Sequence, residues 1–469
     1  MKRRNIIAYG MGDIFGGGSF LVIGTLFLIF LTDVVGLRPS LAGLVLIIGK
    51  AWDAISDPIM GYISDNTRSK FGKRRLYFLL GIFPIALSFY LLWLPINSNS
   101  QLSLFLFYSF AYILFSTVYT MVMIPYTALN AEMTKDYSLR TKLSGTRMFF
   151  SQISALLSGV LPKIIIDSAS NPSIGYRNMA IVFSILYSLP WIFVFLGTFE
   201  ESTKDDNVQK NKFDLLSLLK NKPFKIHIGM YIMAYTAMDI LMALFIYYLT
   251  YYIQKPNIFS ICLGLILLTE ILSLPLHVYI ANKYGKGKDY TLGLSIWAIG
   301  MFILFIIGKN TPTIFIYLDS IIIGFGLSAG VMIPWAMLPT IIDIDELITT
   351  KNRAGIYSGA MTFIRKIIQA VTLFVLGVFL DFIGYIPNQD QTASTLFKLK
   401  SIFVFLPILL LITGILLSLK YKVNAQNHKI IREEIDRLRN NGKKEDVDSN
   451  VKKICESITG LSYEQLYNK

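Results

Sequence analysis

Two carboxylates and an ammonium interrupt a stretch of chain that is otherwise hydrocarbon: Lys50, Asp53 and Asp57, around the run Trp52-Asp53-Ala54-Ile55-Ser56-Asp57-Pro58. At about 100° per residue of a helix, positions 50, 53 and 57 fall on one stripe. An ionisable side chain at mid-bilayer costs a few kcal/mol on insertion scales, so three of them within two turns point to function rather than to packing. Such a stripe must face the interior of a helix bundle, where acidic groups can hold a cation or a proton. The competing reading is a structural ion pair of Lys50 with the two acids, although a buried pair is weak evidence for stability.

The elements that position these groups are membrane helices. The chain has 469 residues, 54% of them hydrophobic and 16% charged, with a mean hydropathy of +0.55. A soluble protein carries about 25% charge. Apolar runs of about 20 residues, long enough to cross a ~30 Å hydrocarbon core, recur about twelve times between a first near 7–31 and a last near 401–421. The expected class is therefore all-α and integral to the membrane.

Lys and Arg set the orientation. The N-terminus and the alternate connections 66–75, 131–142, 199–225, 282–289 and 346–353 hold 22 of them, whereas the other side offers Arg38, Lys163, Arg177, Lys255, Lys309, Lys398 and Lys400. Both termini are expected in the cytoplasm of a multi-pass protein of the cell membrane. The net charge of +14 has the same origin, and no nucleic-acid partner is needed to explain it. The first apolar run is too long for a cleavable signal and is expected to remain as the first helix. Cys262 and Cys455 have no spacing for a metal site or disulfide, and neither a Ser/His pair, a zinc-ligand set nor a phosphate loop is present. The chain is not expected to be an enzyme, and no cofactor or resident metal is expected.

An internal duplication is visible. Lys70-Phe71-Gly72-Lys73 returns as Lys283-Tyr284-Gly285-Lys286, 213 residues on, and Val122-Met123-Ile124-Pro125-Tyr126 as Val331-Met332-Ile333-Pro334-Trp335, 209 residues on. Two matches at nearly one offset divide the chain into a six-helix bundle over 1–198, a solvated linker over 199–223, a second bundle over 224–422 and a tail over 423–469. In this register Glu270 corresponds to Asp57. Ile430, Ile431, Ile435 and Leu438 fall at helical spacing and predict an amphipathic helix on the cytoplasmic face.

The segment Asp53 to Arg75 reads Asp-x-x-x-Asp-Pro-x-x-Gly, then Asp65, Arg68 and Phe71-Gly72-Lys73-Arg74-Arg75. Together with Tyr9-Gly10-Met11-Gly12-Asp13, Thr32 to Leu37, Ile124-Pro125-Tyr126, Arg147, Lys366, Gly384-Tyr385 and Thr459 to Tyr463, it resembles the glycoside-pentoside-hexuronide:cation symporters of the major facilitator superfamily, whose best-known member is melibiose permease. The resemblance covers essentially the whole chain. It implies the major facilitator fold and import of a sugar or glycoside by symport with Na⁺, Li⁺ or H⁺ through alternating access, in a monomer.

Carried over position by position, the resemblance implies a cation site of Asp53, Ser56, Asp57 and Thr120, with Ser56 where the family's best-known member has Asn. Oxygen ligands suit such cations. The two acids that grip galactosides fall on Gly17 and Met123, which cannot accept sugar hydroxyls as a carboxylate does. Asp13, one turn from Gly17, is the candidate substitute. Arg147 and Lys366 match basic positions that face the cavity, and Tyr119, Tyr126 and Trp335 are candidates to stack on a sugar ring. Asp65, Arg68, Arg74, Arg75, Arg140 and Arg353 are expected to form cytoplasmic salt bridges that hold the two halves together in the outward-open state. Asp239, Glu270 and Asp319 are further acids in apolar runs without an assigned role. Lysolipid symporters share this fold and site, and a non-transporting sugar sensor is a further alternative.

Overall fold

In lipid the backbone must satisfy its own N–H and C=O groups, so apolar runs of this length become helices. The computed structural model describes residues 1–134, 136–200, 215–219, 221–351, 353–440 and 442–467. Twelve helices among them are long and apolar enough to cross a membrane: Arg3–Phe27 (α1), Pro39–Asn66 (α2), Arg75–Leu92 (α3), Gln101–Asn130 (α4), Lys142–Asp167 (α5), Pro172–Gly197 (α6), Lys222–Tyr252 (α7), Pro256–Tyr284 (α8), Lys286–Ile306 (α9), Thr313–Thr349 (α10), Ala354–Phe382 (α11) and Ala393–Leu419 (α12). The described residues contain no strand. Several helices outrun the apolar stretch that announces them. The apolar part of α10 continues as helix through Asp343, Asp345 and Glu346 to Thr349, because a charged last turn remains helical once it has left the hydrocarbon.

The helices pack as two sets of six, the arrangement that the resemblance implies. Within the first half α1 packs on α5 and α2 on α4, and within the second α9 packs on α10 and α12. The halves meet where α2 lies against α11 and α5 against α8. At the first of these seams a Cβ on Gly377 would come within 2.4 Å of the Pro39 carbonyl, so the two backbones are in contact. The duplication is also conformational: Gly72 and Gly285, at matching places in the α2–α3 and α8–α9 connections, have φ of +100° and +101°, a region that favours glycine.

Most of the expected linker lies outside the described residues, but its first acid departs from expectation. Glu200 is not a solvated charge. Its carboxylate accepts from the backbone N–H groups of Lys73, Arg74 and Arg75 at 2.8, 2.8 and 2.9 Å, capping the positive end of α3.

Beyond α12, the helices Ala425–Arg439 (α13) and Ser449–Thr459 (α14) fold back on the second half. Ile431, Ile435 and Leu438 bury their apolar face with Ile344 and Leu347 of α10. Asp343 at the end of α10 pairs with His428 at 2.8 Å and Arg432 at 3.0 Å. In the same layer burial pushes the Cys455 thiol up to about 12, which makes it a packed and unreactive group.

Candidate functional site

Helices α2 and α4 are joined by hydrogen bonds at helical spacing. Ser116 donates to the Gly49 carbonyl at 3.2 Å, Trp52 Nε1 to Thr117 at 2.7 Å and Ser56 to Thr120 at 3.1 Å. This register delivers the Thr120 hydroxyl to both acids, 2.8 Å from Asp57 Oδ1 and 3.2 Å from Asp53 Oδ1. Its single hydrogen serves one of them at a time. Asp53, Ser56, Asp57 and Thr120, the set that the resemblance implied, lie together as one cluster of oxygens, with Asp53 wholly buried. Hard oxygen donors of this kind suit Na⁺ or a proton.

The ammonium that meets the acids is not Lys50. Lys366 reaches across from α11, its Nζ 2.9 Å from Asp53 Oδ2 and in ion contact with Asp57 Oδ2. The contact with Asp53 lacks hydrogen-bond geometry, so that oxygen has no hydrogen-bond partner. Expected as a substrate ligand, Lys366 is here the counter-ion of the acidic pair and ties the two halves together. The structural pair of Lys50 with the acids is not formed. Lys50 Nζ lies over the Phe20 ring, 3.3 Å from its centroid, and has no carboxylate within 4.0 Å among the described residues.

Beside the pair lies a cavity of about 420 Å³ between the halves, walled by Gly17, Phe20, Lys50 and Tyr119 on one side and by Asp239, Glu270, Arg365, Lys366 and Gln369 on the other. Arg365, which the sequence reading passed over, grips Asp239 in bidentate fashion at 2.6 and 2.7 Å, and Gln369 adds a bond at 3.2 Å to the same acid. Its position one residue before Lys366 was the available signal, since α11 carries two adjacent cations inside an apolar run. Glu270, the symmetry mate of Asp57 in the duplicated register, faces this cavity from α8.

The other expected substrate residues divide. Tyr119 lines the cavity. Asp13 and Arg147 find each other, Arg147 Nε lying 3.1 Å from Asp13 Oδ1, in the N-terminal half. Gly17 lies against α5, where a Cβ would fall 2.3 Å from Ser151 Oγ and 2.7 Å from the Ser151 carbonyl. A carboxylate cannot be restored there without moving α5. Met123 is buried under Gly16. Tyr126 is a core residue rather than a cavity wall: it stacks on Tyr9 at 4.8 Å and donates to the Tyr9 carbonyl at 2.7 Å. Trp335 also lies off the cavity, 40% exposed and hydrogen-bonded to Tyr235 at 3.0 Å. A buried aromatic and a cavity aromatic have the same spacing in sequence, and only helix rotation separates them.

The residues expected to clasp the halves in the outward-open state make, among the described residues, contacts within their own halves, and Arg353 also donates to Ser217 of the linker at 2.7 Å. Arg74 meets Asp65, Ser64 at 2.5 Å and Glu132 at 3.1 Å. Arg75 donates to the Phe195 carbonyl at 2.6 Å, Arg140 to the Thr134 carbonyl at 2.8 Å, and Arg353 to Asp345 at 2.5 and 2.7 Å. Arg68 is exposed and makes no ion pair among the described residues. Besides Lys366 with Asp53 and Asp57, the polar contacts that join the halves among the described residues cluster at the opposite face. Tyr251 and Tyr385 of the second half donate to the Asp33 carboxylate, the latter at 2.7 Å, and Asn388 Nδ2 lies 2.5 Å from the Asp33 carbonyl. Thr32 meets Tyr247 at 2.9 Å, and Asp381 accepts from Ser40 N at 2.8 Å. Two segments wound as π-turns, Phe30–Val34 in the first half and Tyr248–Tyr252 in the second, carry Thr32, Asp33 and Tyr251 at this seam. Asp319 is buried on α10, with neither carboxylate oxygen hydrogen-bonded among the described residues, and it lies away from the central cavity.

Known proteins share this architecture. Residues 8–425 match the family described as MFS/sugar transport protein. A Salmonella typhimurium protein provisionally named a sulfoquinovose importer is 30% identical, with 94% of each chain covered. A sodium-dependent lysophosphatidylcholine symporter of Xenopus tropicalis is 25% identical over 92% of this chain and 90% of its own. Among solved structures, the nucleoside transporter NupG superposes with a TM-score of 0.63 at 14% identity, covering 89% of this chain and 99% of that one, which speaks for the fold alone. In agreement with the motifs that resemble the glycoside-pentoside-hexuronide symporters, the chain belongs to the MFS/sugar transport protein family of the major facilitator superfamily and is a multi-pass membrane transporter, not an enzyme.

Proposed function

We propose that this protein imports a sugar or glycoside across the cell membrane by symport with Na⁺, as a monomer with both termini in the cytoplasm. The observation that carries the reading is the cluster of Asp53, Asp57, Ser56 and Thr120 beside a cavity shared by the two halves. The distribution of Lys and Arg supports the orientation. In this orientation the contacts at Asp33 lie on the outer side, which supports reading this conformation as one closed to the outside.

Two buried carboxylates without a counter-ion cost several kcal/mol, so the halves can rock only when the pair is neutralised. Lys366 neutralises it in this state, and the coupling cation takes its place during loading from outside. Sugar and cation then favour each other, and by linkage the effect must be mutual.

The test is uptake into proteoliposomes across a panel of glycosides, pentosides, uronides and lysophosphatidylcholine, with and without a Na⁺ gradient. Accumulation of a sugar that follows the gradient and is lost in Asp57→Asn is expected. Unchanged ion dependence in Asp57→Asn overturns the cation assignment, and uptake of lysophosphatidylcholine in place of sugar selects the lipid alternative. Sugar binding without counterflow selects a sensor.

A further inference from the structure

The duplicated α2–α3 and α8–α9 connections carry the same Lys-aromatic-Gly-Lys run, but the two halves treat its charge differently. In the first half the run meets acids of the protein itself: Lys73 pairs with Glu132 at 3.0 Å, and Glu200 accepts from the N–H groups that follow Gly72. In the second half the position that corresponds to Glu132, at the 209-residue offset, is the buried Ile341. Lys283 and Lys286 form no ion pair among the described residues. Lys283 Nζ donates to the Tyr279 hydroxyl at 3.1 Å, and Lys286 Nζ to the Ala336 carbonyl at 2.6 Å. An ammonium carries three donors, so both lysines keep N–H groups to offer.

Both lysines line a cavity of about 430 Å³ between the α8–α9 connection and the entry to α13, where Tyr284, Thr340, Asn424 and His428 contribute to the walls. No acid lines it among the described residues. Tyr421 separates it from a small recess walled by Lys222, Lys420 and Lys422, which also make no ion pair among the described residues. Such a gathering of unpaired ammonium groups around a polar cavity is complementary to an anion. The surface that leads to it is apolar. Leu268, Leu272, Leu276 and Tyr279, three and four residues apart and 42–69% exposed, form one stripe of α8 that ends at Lys283. In the proposed orientation this end of α8 lies at the level of the cytoplasmic head groups, where basic pockets bind anionic lipids.

We infer that the cavity is a site for an anionic phospholipid of the cytoplasmic leaflet: its phosphodiester pairs with Lys283 and Lys286, and an acyl chain follows the stripe from Tyr279 to Leu268. A free phosphate would meet the same two ammonium groups, but only a lipid also covers the stripe. The lipid supplies from the membrane the negative charge that Glu132 supplies to Lys73 in the first half. Because the cavity has walls from both the α8–α9 connection and the residues that enter α13, bound lipid also ties the tail to the second half.

The test adds phosphatidylglycerol or phosphatidylcholine of the same acyl chains to the full-length protein in detergent. Native mass spectrometry reads retention, and deuterium exchange over residues 281–288 and 421–428 reads the place of contact. Phosphatidylglycerol is expected to bind about tenfold more tightly, as two lysines at an anionic head group allow, and to slow exchange in both segments. Lys283→Gln combined with Lys286→Gln should remove the preference, and arginine at both positions should keep it. Arg68→Gln combined with Lys288→Gln removes the same charge from exposed positions off the cavity and should leave the preference unchanged. Equal retention of the two lipids by the wild type overturns the inference without recourse to any variant, so a misfolded double variant does not remove the test. A loss in the Arg68 and Lys288 pair as large as in the cavity pair overturns it too, because a basic surface alone would then suffice. If inorganic phosphate or glycerol phosphate protects both segments as well as the lipid does, the lipid assignment falls in favour of a soluble anion.

Discussion

Lys366 Nζ stands 2.9 Å from Asp53 Oδ2, so the counter-ion of a carboxylate buried in one half of the protein is supplied by the other half. A coupling cation that binds the acids must compete with this tethered ammonium. Lys366→Gln should therefore bind Na⁺ about tenfold more tightly, in line with removal of a competing charge-assisted contact worth about 1.4 kcal/mol or more, and should lose gradient-driven accumulation. Calorimetric Na⁺ titration reads the first effect and vesicle uptake the second. Unchanged Na⁺ affinity would show that lysine and cation do not share the carboxylates.

Thr120 offers its hydroxyl to both acids at 2.8 and 3.2 Å. Thr120→Val keeps the shape and removes the oxygen. A hydrogen bond to a charged group contributes about 1.5–3 kcal/mol, so the Na⁺ concentration for half-maximal uptake should rise tenfold or more. Thr120→Ser should stay close to wild type.

The bidentate Arg365–Asp239 pair makes a stability prediction. Neutralising one partner, as in Asp239→Asn or Arg365→Met, leaves an uncompensated buried charge and should destabilise the protein by about 3–5 kcal/mol. The double variant should recover much of that loss. A double-mutant cycle on the midpoint of thermal unfolding in detergent decides it, and additive losses would mean that the two side chains are not coupled.

At the outer latch, Asp33→Ala deprives Tyr251 and Tyr385 of their common acceptor. If these bonds hold that face closed, the variant should admit a membrane-impermeant maleimide to a cysteine placed at Gly24, on the cavity wall, at least ten times faster than the same cysteine in the parent. No change in rate would assign the closed face to apolar packing instead.

The repeated glycines provide an ordering. Gly72 and Gly285 share a φ near +100°, but a Cβ on Gly72 would stand 2.5 Å from the Glu200 carboxylate, whereas at Gly285 it meets open space. Alanine at either position strains the backbone by about 1–3 kcal/mol. Only Gly72→Ala also displaces the Glu200 cap from α3, and it should show the larger drop in unfolding temperature.

The class of this protein was legible in its sequence because membrane insertion is a one-dimensional problem. Whether a run of about 20 residues crosses the bilayer depends on its own composition, and the cost of placing Asp53 and Asp57 in such a run is high enough that their presence is informative before any neighbour is known. The duplication was legible for a similar reason: Gly72 and Gly285 are required by local backbone conformation, so the repeat survives as residue identities.

What only the tertiary structure decided is which charge meets which. Lys50 stands one turn from Asp53 in sequence and is the natural partner on paper, yet the acids take Lys366, some three hundred positions away, and Lys50 turns over Phe20. Arg353 and Arg74, expected to clasp the halves in the outward-open state, here close on Asp345 and Asp65 within their own halves, and polar contacts cross the seam at Lys366 and, at the far face, at Asp33. Tyr119 reaches the cavity and Tyr126 the core, although both lie on α4. These outcomes depend on helix rotation and on the distance between helices. Residues on one helical stripe are fixed relative to each other by 3.6-residue periodicity, but nothing local determines which stripe of another helix will face them.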